Sequence, residues 1–490
     1  MRARPPLYNS TTFYTMPAMS NKNIKTRFAP SPTGLVHLGN IRTALFNVLL
    51  ARKHQGKFLL RIEDTDQERS KPEFQVALQE DMQWLGLGWQ EGPDAGGEHA
   101  PYNQSERGDL YQQYYDQLIE KDLAYPCFCS ERELKLVRKS QLSAGQPPRY
   151  AGTCARLNAE EQKQKLKQGG QPSLRFRVPK GETIGFEDAV RGSQSFKTDD
   201  IGDFIIRRSD GTPAFFFTNA IDDALMGVTH VLRGEDHLTN TPRQLLMLRA
   251  LDLSEPEYGH ISLIVSDEHN PLSKREGSQS VRVMREEGYL PDAINNHLAR
   301  LGHAYEDSGK FMSMTELADG FELPRLGKAP ARHDAKQLMH WQREAILQAD
   351  SNELIGWLGV ELDAVPADER EAFVKLIRGN INFPEEVRHW LDVLYTETLD
   401  YPEDAHNWFK QVGHTYFAAA LNALEAAPDN YKDFIEQLKA ESGCKGKQLF
   451  MPLRMALSGR SSGPELAPLY ELMSEARKNE RLSNAKKLAD

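Results

Sequence analysis

An α/β protein built on a doubly wound parallel sheet, with an inserted α+β domain and an all-α region after it, is the fold class this chain predicts. Three observations give it. Two apolar runs, 24–29 and 57–64, flank a helical pattern carrying Ile41, Ala44, Leu45, Val48 and Leu49, which is the β–α–β order of a parallel sheet. From about 126 to 212 that rhythm gives way to basic helices followed by short strands at 173–178 and 204–208. Beyond about 337 the pattern is helical and rich in Glu, Lys, Ala and Leu, with breaks expected at Pro384, Pro402, Pro428 and Pro452.

The elements follow in order. The first strand stops at Pro30 and Pro32, the chain turns at Gly34, and a helix begins. A strand, a glycine-bearing loop and a helix N-terminus form an anion site, because unpaired N–H groups and the helix dipole face the ligand. His37 and Gly39 fall at that junction: His37 could donate to a phosphate oxygen, and Gly39 would let a nucleotide approach the backbone. A His-x-Gly alone is more commonly a capping or packing histidine. The second strand ends in Glu63 and Asp64, and strand carboxyl ends are where ligands sit in such sheets. Ser70-Lys-Pro-Glu73 reads as a capping box opening a helix whose face carries Phe74, Leu78, Met82 and Leu85. The nucleotide fold resumes near 213, and a basic loop, Pro271-Leu-Ser-Lys-Arg275, follows the apolar run 261–265. Helices are expected around 291–301.

Composition limits the function. No apolar run approaches the ~20 residues of a membrane span. The chain has 60 basic and 70 acidic residues, a net −10 that argues against a polyanionic partner. Its distribution argues the other way: 126–180 carries twelve Lys/Arg against four Asp/Glu, and 444–490 nine against five. Two basic patches on an acidic body could grip nucleic acid at separated places, although helix surfaces carry such charge without a partner. Four cysteines exclude a disulfide scaffold and suit a reducing cytoplasm. Residues 1–22 lack acidic residues and a secretory apolar segment; they read as a disordered tail or an upstream start, with Met16 and Met19 close to the first strand.

Five motifs in order now carry a resemblance: RFAPSPTGLVHLGN (27–40), RIEDTD (61–66), DDALMGVTHVLRGEDHLTNTPRQ (222–244), LSKR (272–275) and YLPDAINNHLARLG (289–302). Together they resemble the bacterial-type glutamyl-tRNA synthetases, of class I. The likeness covers the catalytic half densely and the C-terminal third more thinly, through 445–454 and 458–460. It implies a Rossmann-like catalytic domain in two parts (23–125 and 213–270), an acceptor-stem-binding insertion (126–212), a Ser-Lys loop with stem-contact helices (271–336) and a helical anticodon-binding region (337–490). The implied protein is a cytoplasmic monomer that joins L-glutamate to tRNA(Glu), to tRNA(Gln) or to both.

The implied chemistry is attack of the glutamate carboxylate on the α-phosphate of ATP, with Mg²⁺ accompanying the nucleotide, then transfer to the tRNA 3′ end. Such a step needs alignment and charge neutralisation more than an acid or base. The resemblance gives that task to His37, Gly39 and Lys274, with Ser273 and Arg275 beside the ATP. It puts Arg27 and Arg233 on the substrate side chain, Glu63 with the backbone at Ala29 and Ser31 on the ammonium group, and Phe215 and Asn219 in the same pocket. Phe215 stands where relatives often have Tyr, and Pro271 where they have Lys. In the insertion, Cys127, Cys129 and Cys154 supply three zinc ligands. Arg156 replaces the family's histidine and cannot ligate. Tyr150, spaced as in shorter tRNA-modifying relatives, is the fourth candidate. The alternative is a decayed site whose cysteines are small buried hydrophobes.

Overall fold

β1 (Lys25–Phe28) pairs in parallel with β2 (Lys57–Leu60) across the intervening helix α1 (Leu38–Lys53), with Arg27 opposite Leu59. The computed structural model describes residues 24–265, 280–396 and 399–489. The tail at 1–22 and the loop with Pro271, Ser273, Lys274 and Arg275 therefore lie outside the described residues. The chain forms two compact units: one takes in 24–265, 280–282 and 298–334, the other 283–297 and 335–489.

In the first unit, α1 is buried along almost its whole circumference, as an apolar helix covering a sheet must be. α2 (Pro72–Trp84) and α3 (Gly108–Glu120) follow. The expected capping box is absent: the N-cap is Lys71, which makes no side-chain cap. The Ser70 N–H is taken by the Asp66 carbonyl at 2.9 Å and the Lys71 N–H by Pro32 at 3.1 Å, so the entry turn is fixed one residue too far along. Glu73 is left at the second helical position instead of the third.

The insertion holds β3 (Ala124–Cys127), α4 (Glu131–Ser143), α5 (Ala159–Lys167) and β4 (Ser173–Phe176). Next come the hairpin strands β5 (Thr183–Asp188) and β6 (Gly192–Lys197), the short helix α6 (Thr198–Ile201) and β7 (Phe204–Arg207). β3, β4 and β7 make an antiparallel sheet. The hairpin does not join it. β5 pairs instead with β9, at Asp188 opposite Tyr258.

The nucleotide fold resumes with α7 (Phe215–Leu225), β8 (His230–Gly234), α8 (Thr241–Ala250) and β9 (Glu257–Ile261). β8 and β9 are parallel, with Arg233 opposite His260. The Thr229 N–H donates to the Lys25 carbonyl at 2.9 Å, joining the start of β8 to β1. β10 (Ile264–Val265) and β11 (Ala331–Arg332) form a last parallel pair. The parallel strands end together, and that edge carries the site.

The second unit is helical, with a core around Trp390, Phe409, Phe417 and Tyr470. Pro384 and Pro402 stand at helix starts and Pro428 between helices, as expected. Pro452 does not break the pattern: it lies inside the helix Lys447–Ser458, within the buried face of Leu449, Leu453, Met455, Ala456 and Leu457. Burial of that face offsets one missing N–H, and the Tyr416 hydroxyl donates to the Leu449 carbonyl in the turn before it. No helix among the described residues is long and apolar enough to cross a membrane.

A Cβ at Gly56 would collide with the Ile24 carbonyl, which is held by the Lys57 N–H at 2.8 Å. Gly56→Ala is expected to destabilise the first unit by about 3 kcal/mol, the upper end of overpacking costs. Urea unfolding checks this against Gly88→Ala, where the added carbon meets nothing within 4 Å; equal midpoints would contradict it.

Candidate active site

Three buried arginines converge where the parallel strands end. Arg27, on β1, donates from Nε to Asp223 at 3.3 Å and from Nη1 to the Leu232 carbonyl at 3.4 Å. Arg61, one residue beyond β2 and wholly buried, donates to Asp223 at 2.7 Å and to Glu63 at 3.2 Å. Asp223 and Glu63 thus neutralise these two cations. Burial works against the Asp223 carboxylate, but Arg27 and Arg61 more than offset it and hold its pKa below the usual value. Glu63 goes the other way: burial raises its pKa despite Arg61 and a 2.6 Å hydrogen bond from Asn219. Glu63 is also where the loop after β1 attaches, through its N–H to the Pro30 carbonyl at 2.9 Å. Ala29 and Ser31 flank that carbonyl.

Arg233 is different. It is 4 % exposed, and all its hydrogen-bond acceptors are neutral. Nε donates to His260 Nε2 at 3.1 Å, and Nη2 to Thr241 Oγ1 and Gln244 Oε1, both at 2.7 Å. Nη1 has only Asn219 Oδ1, at 3.4 Å. The guanidinium lies over the Tyr258 ring, 5.0 Å from its centroid. Among the described residues no carboxylate is within ion-pair distance of it. Burial lowers its pKa to about 10, and the like charge of Arg27 adds to the effect. The neighbouring His237 is pushed down to about 4 by burial and by the Arg233 charge. An isolated buried cation is costly unless an anion arrives.

The other predicted residues surround this centre. His37 is the N-cap of α1 in an extended conformation, bridged to Ser280. Gly39, in the first turn, has nothing among the described residues within 4 Å of where a Cβ would be. Phe215 opens α7 with its ring 5.4 Å from that of His237. Arg27, Glu63, Asn219 and Arg233 belong to one continuous network, linked through Asp223 and Arg61. Ser273, Lys274 and Arg275 lie outside the described residues.

Sequence reasoning missed the residues that hold the network: Arg61, Asp188, Asp223, Thr241, Gln244 and His260. A signal existed for two of them. Arg61 interrupts an apolar strand run and Asp223 an apolar helix, and charge in such places is buried with a partner.

The insertion has a second cluster. The Sγ atoms of Cys127, Cys129 and Cys154 all lie within 4.8 Å of one another. Cys129 and Cys154 are 3.6 Å apart, and the Tyr150 hydroxyl is 3.3 Å from Cys127 and 3.4 Å from Cys129. Tetrahedral zinc with Zn–S of about 2.3 Å and Zn–O of about 2.0 Å requires edges of about 3.8 Å for S–S and about 3.5 Å for S–O. The donor set fits. Arg156 is exposed and Arg175 stacks on Tyr150, 3.8 Å from the ring centroid.

Residues 23–340 match the family described as tRNA synthetases class I (E and Q), catalytic domain, and 335–486 match an anticodon binding domain. The chain is 57 % identical over 467 residues to glutamate–tRNA ligase 2 of Nitrosococcus oceani, covering 95 % of this chain and 99 % of that protein. It is 55 % identical to glutamate–tRNA ligase 2 of Alkalilimnicola ehrlichii, over 96 % of this chain and 99 % of the relative. A solved glutamate tRNA ligase from Elizabethkingia meningosepticum, in complex with its amino acid, aligns with a TM-score of 0.86 at 29 % identity, covering 96 % of this chain and all of that one. A class I catalytic-domain match over 23–340, an anticodon-binding match over 335–486 and relatives more than half identical along nearly the whole chain make this protein a member of the class I glutamyl- and glutaminyl-tRNA synthetase family.

Proposed function

We infer that this chain is a glutamate–tRNA ligase, forming glutamyl adenylate from L-glutamate and ATP and passing the glutamate to the 3′ end of tRNA(Glu), with tRNA(Gln) as an additional or alternative acceptor. The observation that carries the reading is Arg233, a buried cation surrounded by neutral groups. A side-chain carboxylate supplies the missing charge, and a carboxamide does not. Arg27, whose Nη2 makes no hydrogen bond to a described residue, shares that carboxylate. Glu63 and the backbone at Ala29 and Ser31 receive the ammonium group, Asn219 links the two ends, and Phe215 closes the pocket by contact alone.

On the nucleotide side, the open N-terminus of α1 takes phosphate oxygens through its free N–H groups, with His37 donating beside Gly39. Ser273, Lys274 and Arg275 bind the ATP, and Lys274 answers charge that shifts onto the leaving pyrophosphate. Mg²⁺ bound with ATP screens the phosphates. The protein's share is alignment of the glutamate α-carboxylate with the α-phosphate. Zinc held by Cys127, Cys129, Cys154 and Tyr150 would tie the segment after β3 to the segment at 150–154 and so shape the surface that meets the acceptor stem. The reading takes the chain as a monomer in a reducing cytoplasm, in keeping with four unpaired cysteines.

Pyrophosphate exchange in the presence of tRNA, followed by charging of purified tRNA(Glu) and tRNA(Gln), tests the reading directly. No glutamate-dependent exchange would refute it. Arg233→Gln should weaken glutamate by about 2–5 kcal/mol, the cost of truncating one partner of a buried charge pair, and should narrow the preference over glutamine; an equal loss for both amino acids would assign Arg233 to structure. Lys274→Ala should lower kcat for adenylate formation by on the order of 10²–10³, as loss of one preorganised stabilising donor does, with little change in glutamate KM. A single-turnover rate equal to the wild type would remove Lys274 from the step. Protein prepared without chelators should contain one zinc per chain, and Tyr150→Phe should release it more readily to a competing chelator. Metal analysis finding no stoichiometric zinc would dismiss the site.

A further inference from the structure

Behind Arg233 lies a second layer of buried groups with no evident part in holding ligand. His260 is fully buried on β9, directly opposite Arg233 in the strand register. Its Nε2 faces Arg233 Nε at 3.1 Å. An arginine N–H can only donate, so this nitrogen must be the bare one and the imidazole proton must sit on Nδ1. There Asp188 accepts it at 2.5 Å. Asp188 has no freedom to turn away: its other oxygen accepts from the N–H groups of Val190 at 2.9 Å, Arg191 at 2.7 Å and His260 at 3.2 Å. Thr241 Oγ1 accepts from Arg233 Nη2 and lies 3.1 Å from His260 Nε2.

The consequence falls on the guanidinium. Of its five N–H donors, the one on Nε and the two on Nη2 are satisfied within 3.1 Å. Nη1 keeps donor capacity, its one acceptor among the described residues being Asn219 at 3.4 Å. Rotation of the group about its long axis would bring a proton against a donor. We propose that the Asp188–His260 pair is a positioning device for Arg233: by fixing the imidazole as the Nδ1–H tautomer it leaves Arg233 Nη1 as the edge presented to the acidic side chain of the amino-acid substrate. The proposal rests on the assignment of Arg233 to that side chain.

Asp188→Asn separates positioning from bulk. The three backbone N–H groups keep the amide oxygen, so the amide nitrogen faces His260 Nδ1 and drives the imidazole proton to Nε2, against Arg233 Nε. KM for glutamate should rise roughly 10- to 100-fold, the affinity carried by one hydrogen bond to a charged group. KM for ATP and kcat at saturating glutamate should stay as in the wild type. His260→Gln, which can present a carbonyl oxygen near the former Nε2, should retain more glutamate affinity than His260→Phe, which presents none. A wild-type glutamate KM in Asp188→Asn, equal rises in both KM values, or equivalence of the two His260 variants would overturn the proposal. Nitrogen-15 histidine spectra of the unsubstituted chain give a reading independent of any variant's folding: a neutral Nδ1–H imidazole is expected, and its absence would overturn the proposal as well. Arg233→Gln distinguishes the two levels. Unchanged glutamate KM there defeats the carboxylate assignment, whereas a raised KM beside unaffected Asp188 and His260 variants defeats only the positioning device.

Discussion

Arg233 is a buried positive charge that, among the described residues, has no carboxylate within ion-pair distance, and the strand-end network is arranged around it. Removing a guanidinium from water costs several kcal/mol even after relaxation. Arg233 meets that cost with oriented neutral acceptors and an aromatic face instead of a carboxylate. These supports come from three elements: His260 and Tyr258 from β9, Thr241 and Gln244 from α8, Asn219 from α7. The parallel pairing of β8 with β9 is what sets the arginine beside the imidazole. The orientation of the guanidinium is settled at folding by these bonds, which is the condition under which electrostatic recognition is strong.

The other two arginines show the contrast. Arg27 and Arg61 share Asp223, and Arg61 also holds Glu63, so these two cations are matched by two carboxylates. That set is a frame: it joins β1, the end of β2 and α7. Glu63 belongs to the frame and to the pocket at once, and burial leaves its carboxylate under-stabilised despite Arg61 and Asn219. An ammonium group adjacent to it would supply what the protein withholds, as a carboxylate would at Arg233. Asn219, bonded to Glu63 at one end and Arg233 at the other, therefore joins two groups of opposite unmet demand.

How much of this could be read in the chain depends on the range of the signal. The strands and α1 were legible because apolar runs between proline and glycine punctuation report burial directly. Arg27, Glu63, Asn219 and Arg233 were reached through motif resemblance, and the structure does bring them into one network. Local rules failed where tertiary bonds competed with them: the Ser70 box lost to Asp66 and Pro32, and Pro452 was absorbed by the apolar face of its helix. Asp188 and His260 gave no signal at all. They are 72 positions apart, and their meeting follows from strand order, which periodicity does not encode.

The hairpin that carries Asp188 has a consequence for engineering. It lies within 126–212, the interval that reads as one inserted domain, yet it leaves that domain's sheet between β4 and β7 and is seated on β9. An attempt to shrink the enzyme by splicing out the interval in one piece would carry away the carboxylate that holds His260 against Arg233. A minimal catalytic core needs two junctions, one on each side of 183–197. What reads along the chain as one detachable cassette is, in space, two loops strung on a strand that the host domain has kept.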